Sequence, residues 1–338
     1  MVVDSCTDTT TDRPASLEYF DAIGVSAREA VRLIVVSHWH DDHVRGLADV
    51  VSACPSACVC CSSVLTKEEF LAHVLDYEKI LTQIAHSGVR EIAQTLRILR
   101  DRSSGTRKAT ANRTILSLPA DDGADPCIVT TLSPADEEYD RFLGGIATMV
   151  PRARQAKLRA SAPRPNNAAV ALWVETGPIR LLLGSDLEER GGATSGWSAI
   201  IQSAERPKGR ASIFKVPHHG SVTAHHDQVW TELVMQSPIA VLSPFFAGTN
   251  LPRPRDVKRI VNLAPESFIT SRDPAPRSRR PRAAAVERTI RETVGKIRVA
   301  QPRMGWVRIR NGGKSNPNNW KVELSTAACR LDALTGSS

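Results

Sequence analysis

Three imidazoles and the carboxylate of Asp42 fall within six residues, His38-Trp39-His40-Asp41-Asp42-His43. A neutral imidazole offers a ring-nitrogen lone pair to a borderline metal such as zinc, and a carboxylate adds charge compensation. In an extended segment, residues two apart face the same way, so His38 and His40 can share one ion. Asp42 and His43 follow on a tighter turn and can reach a second. Farther along, Leu181-Leu182-Leu183-Gly184-Ser185-Asp186 is an apolar run ending in a carboxylate after a small-residue turn. That carboxylate can bridge two cations, one oxygen each, or it can simply cap a helix over 187–190. Phe214-Lys215-Val216-Pro217-His218-His219-Gly220-Ser221 repeats the design, a strand followed by paired histidines and a glycine.

These residues need strand ends to hold them. Residues 31–37, Val-Arg-Leu-Ile-Val-Val-Ser, read as a buried strand feeding the first cluster. Residues 17–23 read as a short helix ending at Gly24. Helical spacing covers 45–53 and 67–100, the latter broken near Gly88, with a strand over 57–64 between them. Residues 101–113 read as a polar loop and 127–132 as a strand. The Arg-, Ala- and Pro-rich stretch 151–167 is a connection. Strands follow over 168–175, 179–184, 213–216 and 239–243, and the segments 307–310 and 320–325 pair as a last hairpin. Alternating strands and helices place the chain in the α/β or α+β class.

The order H-x-H-x-D-H, then an apolar strand ending in Asp, then strand-His-His-Gly, resembles the metallo-β-lactamase superfamily. The Gly184-Ser185-Asp186 strand end, His218-His219-Gly220-Ser221 and Asn166-Asn167 look most like the ComEC-type nuclease domain of DNA uptake. The resemblance covers about residues 1–245. It implies a four-layer αβ/βα sandwich, a hydrolase domain over 1–250, and a basic extension over 251–338. It also implies a phosphodiesterase or nuclease using metal-activated water, with one or two ions of Zn2+ or Mn2+. His38 and His40 would bind one metal, Asp42, His43 and either His218 or His219 the other, and Asp186 would bridge. Asp42, Asp186 and His219 would then serve the reaction. Asn166, Asn167, Ser221 and His225 would contact substrate, while Asp4 and Ser133 would support the site. Two departures stand out. No histidine lies between 87 and 217 where the family carries one, so Ser133 or Asp136 stands in its place. The chain also starts at the strand end that holds Asp4, so the family's opening hairpin is expected to be missing.

Composition bounds the remaining readings. With 338 residues, 41% of them hydrophobic, the chain can bury a sizeable core, which excludes a disordered or collagen-like protein. No apolar run approaches the roughly 20 residues that span a bilayer, and the first residues lack a signal-peptide pattern. An odd count of seven cysteines argues for reduced thiols and a cytoplasmic setting. Cys54, Cys58, Cys60 and Cys61 lack a zinc-finger spacing and read as core thiols. Residues 251–310 hold sixteen Lys and Arg against five Asp and Glu, a net +11 in a chain whose total is +8, so the remainder carries −3. Such a basic segment suits nucleic acid or another phosphodiester partner, or is a solvated arm. Trp306 and Trp320 read as core anchors of the last hairpin. Two further functional classes stay open: a hydrolase of a small ester, lactone or β-lactam, and a non-catalytic binding protein with a degraded metal site.

Overall fold

Leu33, Ile34, Val35 and Val36 are all fully or nearly fully buried, as expected for a parallel strand covered on both faces. They form β2 (Leu33–Val36) of a four-stranded sheet in a computed structural model of the chain. Residues 1–8, 11–63, 88–102, 106–121, 123–147, 166, 169–246, 249–272, 305–311 and 319–335 are described. The sheet runs in sequence order, all strands parallel: β1 (Val2–Val3), β2, β3 (Cys58–Ser62) and β4 (Arg107–Ala109). Helices α1 (Ala15–Ala22) and α2 (Ala27–Ala30) separate β1 from β2. Then α3 (Asp41–Val44) and α4 (Leu47–Ala53) separate β2 from β3, and α5 (Gly88–Asp101) precedes β4.

A second sheet of eight strands faces the first. It contains β5 (Arg113–Leu118), β6 (Cys127–Thr131), β7 (Leu172–Thr176), β8 (Ile179–Leu183), β9 (Ala211–Lys215), β10 (Val234–Leu242), β11 (Ser267–Ile269) and β14 (Cys329–Arg330), adjacent in that order. The strands from β5 to β8 pair antiparallel; those from β8 to β11 pair parallel. Between β6 and β7 lies α6 (Asp136–Ala147), α7 (Gly196–Gln202) joins β8 to β9, and α8 (Pro254–Leu263) joins β10 to β11.

Period-2 alternation divides these strands between cores. Leu33, Val35 and Cys60 meet Ile115, Val129, Leu172 and Val174 between the two sheets. On the outer side of the small sheet, Ile34, Val36 and Cys61 pack with Val50, Val51, Ile92 and Leu99 of α4 and α5. On the outer side of the large sheet, Trp173, Leu182 and Phe214 pack with Trp197 of α7 and with Val257 and Ile260 of α8. The hairpin β12 (Val307–Arg310) and β13 (Lys321–Leu324) covers Ile213, Ile239 and Phe268 with Val307, Ile309, Trp320 and Val322. Helices, sheet, sheet, helices is therefore the layer order, within a mixed α/β class. All seven cysteines are free thiols. No helix among the described residues is long and apolar enough to cross a membrane.

Several elements differ from the sequence reading. The expected loop 101–113 contains β4, a short edge strand whose Arg107 and Lys108 suit a sheet edge. The expected helix over 187–190 is irregular chain. Trp306 is exposed under the Arg308 guanidinium, 5.2 Å from its ring, while Trp320 packs in the core. The large sheet includes β11 and β14, both beyond residue 250, and α8 packs on its outer face. Helix α8 buries Asp256, Val257 and Ile260 on one face and exposes Arg253, Arg255 and Lys258. The basic residues 273–304 lie outside the described residues.

Asp256 carries more than its own helix. Its carboxylate accepts the Arg253 N–H at 3.1 Å, capping α8, and the Arg259 Nη1–H at 2.7 Å. Replacing Asp256 with Ala removes the cap and leaves Arg259 half-buried without its counter-charge. A loss of about 3 kcal/mol in urea unfolding is expected; a change under about 0.5 kcal/mol would show that the pair is immaterial.

Candidate metal centre

The C-terminal ends of β2, β8 and β9 converge at one edge of the two sheets, where crevices in α/β folds commonly hold ligands. Beyond β2 the chain stays extended through Ser37, His38 and Trp39 before α3 begins at Asp41. Trp39 turns into the helix-side core, which sends its neighbours His38 and His40 the other way. Register pairs Leu183 of β8 with Lys215 of β9. The turns after these strands are stitched by main-chain bonds, Gly184 N–H to Lys215 O at 3.0 Å and His218 N–H to Ser185 O at 2.9 Å. Gly184 must lack a side chain, since a Cβ would sit 2.9 Å from the Pro217 ring.

Two groups of three ligand-type side chains result. His38, His40 and Asp186 form one; Asp42, His43 and His219 form the other; within each, the ligand atoms lie within 4.8 Å of one another. Asp186 stands between them. Its Oδ2 is 3.7 Å from His38 Nε2 and 3.6 Å from His219 Nε2, and its Oδ1 is 3.5 Å from His43 Nε2. The Asp42 Oδ2 is 3.3 Å from His219 Nε2 and 3.7 Å from His43 Nε2.

The rings are aimed by partners on their far side. Asp4, in a left-handed conformation at φ 59°, accepts the Ser37 N–H at 2.7 Å, the Ser37 hydroxyl at 2.6 Å and His43 Nδ1–H at 2.7 Å. His219 Nδ1–H donates to the Ser243 carbonyl at 3.1 Å. His38 Nδ1 meets the Ser37 hydroxyl at 3.0 Å. In each case Nε2 is left facing the centre, the arrangement that orients imidazoles toward a metal. His38 Nε2 and His40 Nδ1 come within 3.1 Å of each other. Convergent ring nitrogens with carboxylate oxygens beside them form a donor set that fits a divalent cation.

Charge around the centre is strongly coupled. Burial pushes His38 well below its ordinary value, and the neighbouring His43 adds to this. Burial likewise lowers His40. Burial opposes protonation of His43 too, but Asp4 and Asp186 overcome it and hold that imidazole well above the usual range. Burial alone would raise Asp42 and Asp186. Histidine neighbours win at both, His219 and His43 holding Asp42 at about 2 and His43 first among those holding Asp186 far down.

The remaining expected residues are placed as follows. His218 lies outside both groups; its Nδ1 meets Glu188 Oε1 at 3.2 Å and the Thr223 hydroxyl at 3.0 Å, and its Nε2 is 3.5 Å from Asn166 Nδ2. Asn167 lies outside the described residues. The Ser133 hydroxyl donates to Ala169 O at 2.7 Å and accepts the Ala171 N–H at 2.8 Å, tying β6 to the chain before β7. Asp136 is exposed on the first turn of α6. Ser221 caps the following turn by accepting the Thr223 N–H, and His225 pairs with Asp227 at 3.0 Å. Sequence reasoning missed Glu188, Ser243 and Arg259. Arg259 Nη2–H donates to the Gly220 carbonyl at 2.6 Å and so fixes the His218–Gly220 turn to α8. Gly220, at φ +80°, faces Ile260 of the same helix so closely that a Cβ would lie 2.8 Å from it.

No family model matches the chain, and no curated protein matches it. Among solved structures, 42 chains match. One is the crystal structure of Zn2+-bound PqqB from Methylobacterium extorquens, 12% identical, with a TM-score of 0.24 over 55% of this chain and 62% of that one. The chain thus spans under two thirds of that protein's length.

Asp42 gives the metal-free centre a defined acid limit. Its folded value of about 2 lies below the roughly 3.9 of an unfolded Asp. The stability it contributes is therefore fully present above about pH 4 and lost as the pH falls through about 2. In urea titrations of the chelated protein, Asp42→Asn should flatten the slope of stability between pH 4 and 2. An unaltered slope would show that Asp42 is not coupled to His43 and His219.

Proposed function

We propose that the chain is a divalent-metal-dependent hydrolase acting on phosphodiesters, of the metallo-β-lactamase kind that its sequence resembles. The observation that carries this reading is the pair of His/Asp groups flanking one buried carboxylate, Asp186. In it, His38, His40 and Asp186 would hold one ion, and Asp42, His43 and His219, with Asp186 shared, would hold the other. A divalent cation held there supplies Lewis acidity, lowering the pKa of water and drawing charge from a phosphoryl oxygen.

The chain's own residues supply position. Asp4 keeps the His43 ring in one orientation and one tautomer, with its Nε2 lone pair directed inward once the proton there is displaced. The Ser243 carbonyl does the same for His219. In this reading His218 and Asn166, whose Nε2 and Nδ2 lie 3.5 Å apart, would contact a phosphoryl oxygen of the substrate. A polyanionic substrate agrees with the exposed Arg253, Arg255 and Lys258 on α8 and with the basic run beyond it.

Elemental analysis of purified protein, followed by assays on bis-p-nitrophenyl phosphate, DNA, RNA and a lactam with zinc and manganese, tests the reading. His40→Ala should abolish hydrolysis and lower bound metal with the fold intact; unchanged turnover would refute it. The two ions should also differ in affinity, since the His38 group has three protein ligands and the His43 group has four with Asp186 shared. Mild chelation should remove about half of the metal first, and manganese should restore activity better than zinc. Loss of both ions with one affinity would show that this ligand count is wrong.

A further inference from the structure

Strand β9 sends Phe214 into the helix-side core and Ile213 into the space under the last hairpin, so by alternation Lys215 turns inward beside the metal centre. There it lines a cavity of about 470 Å3 together with Asp42, His43 and His219. Its ammonium donates one long hydrogen bond, 3.4 Å, to the Val216 carbonyl, and no carboxylate among the described residues lies within ion-pair distance of it. Burial disfavours the charged form of Lys215, and Asp186, then Asp4 and Asp42, oppose this from beyond ion-pair distance; each of these carboxylates is already engaged by imidazoles, Asp186 by His43, His219 and His38, Asp4 by His43, and Asp42 by His219. On the wall of the same cavity, the Ser16 hydroxyl is buried with no hydrogen-bond partner among the described residues. Val3, Pro244 and Phe246 contribute apolar wall, and Asp4, Ser243 and Thr270 are further polar members of the lining.

An ammonium with no carboxylate in direct contact and an unused hydroxyl on a largely apolar wall are costly unless something accepts from both. Oxyanions do so, and hydrogen bonds between ionised partners are the strong ones. We propose that this cavity binds an oxyanion group of the substrate, a phosphate or a carboxylate, held by Lys215 and Ser16 beside the group that reacts. The word substrate rests on the hydrolase reading above; the binding itself does not. The geometry selects molecules with a second anionic group next to the scissile one and disfavours neutral analogues, which leave Lys215 unpaired.

Calorimetric titration of the chelated, metal-free chain with methyl phosphate and with benzoate tests this without relying on turnover. Wild type should bind at least one of the two, and which one identifies the group. Lys215→Met should weaken that binding about tenfold or more, and Ser16→Ala a few-fold. Lys215→Arg should retain it. If Lys215→Met does not fold, Lys215→Gln serves, keeping the polar stem without the charge. Failure of wild type to bind either anion, or equal binding by the charge-removed variant, overturns the proposal. Failure of the hydrolase reading alone would instead leave anion binding intact with no turnover.

Discussion

A carboxylate with 3% of its surface exposed has to be met by positive charge, and Asp186 is such a group. Much of the surrounding architecture follows from that requirement. His43 approaches its Oδ1, and His38 and His219 approach its Oδ2. These imidazoles come from the ends of strands in two different sheets, so the sheets must face each other with those ends level. Asp4 then answers for the charge that His43 carries, which draws β1 against β2 through Ser37. A divalent ion would take over the compensation now provided by the protonated imidazole, which makes metal uptake and proton release one process.

The sequence was most legible where one physical rule acted alone. Residues 33–36 are apolar at every position because both faces of a parallel strand are covered, and a run of that kind is visible in a single chain. The apolar runs 181–183 and 213–214 are visible in the same way, although Arg180, Ser212 and Lys215 interrupt the strands that contain them. The dense cluster from His38 to His43 was legible because three imidazoles on one short loop have few structural uses. Less legible were elements whose stability comes from tertiary contacts. The strand β4 is three residues of Arg-Lys-Ala, and only its neighbour β3 makes it a strand. Helix α8 starts in a run of Pro and Arg inside the expected basic extension, where Asp256 caps it and Val257 and Ile260 find the core. Ser133 carries a hydroxyl that suits a ligand position, yet the two main-chain groups it bonds decide its use.

The choice between His218 and His219 illustrates the same limit. Adjacent identical residues offer no signal in type or spacing. Their placement follows from left-handed backbone at both positions, with φ of 47° and 53°. This turns one ring toward Glu188 and the other toward Asp42. Lys215, two residues before Pro217, is likewise distinguished by the parity of its strand, which becomes informative only once β9 is known to be covered on both sides.

The hydrogen bond from Arg259 to the Gly220 carbonyl has a bearing on how the chain is made. Every side chain of the two ligand groups has been synthesised by residue 219, yet the helix that holds their last turn follows some forty residues later, and β11 and β14 later still. During synthesis, therefore, a nascent chain carries the full ligand set before it carries the support for it. Long-range pairing of this kind is also slow to form. A cell making this protein faces an interval in which clustered imidazoles and carboxylates are present on an unfinished sheet, open to any metal in reach and to a neighbouring strand.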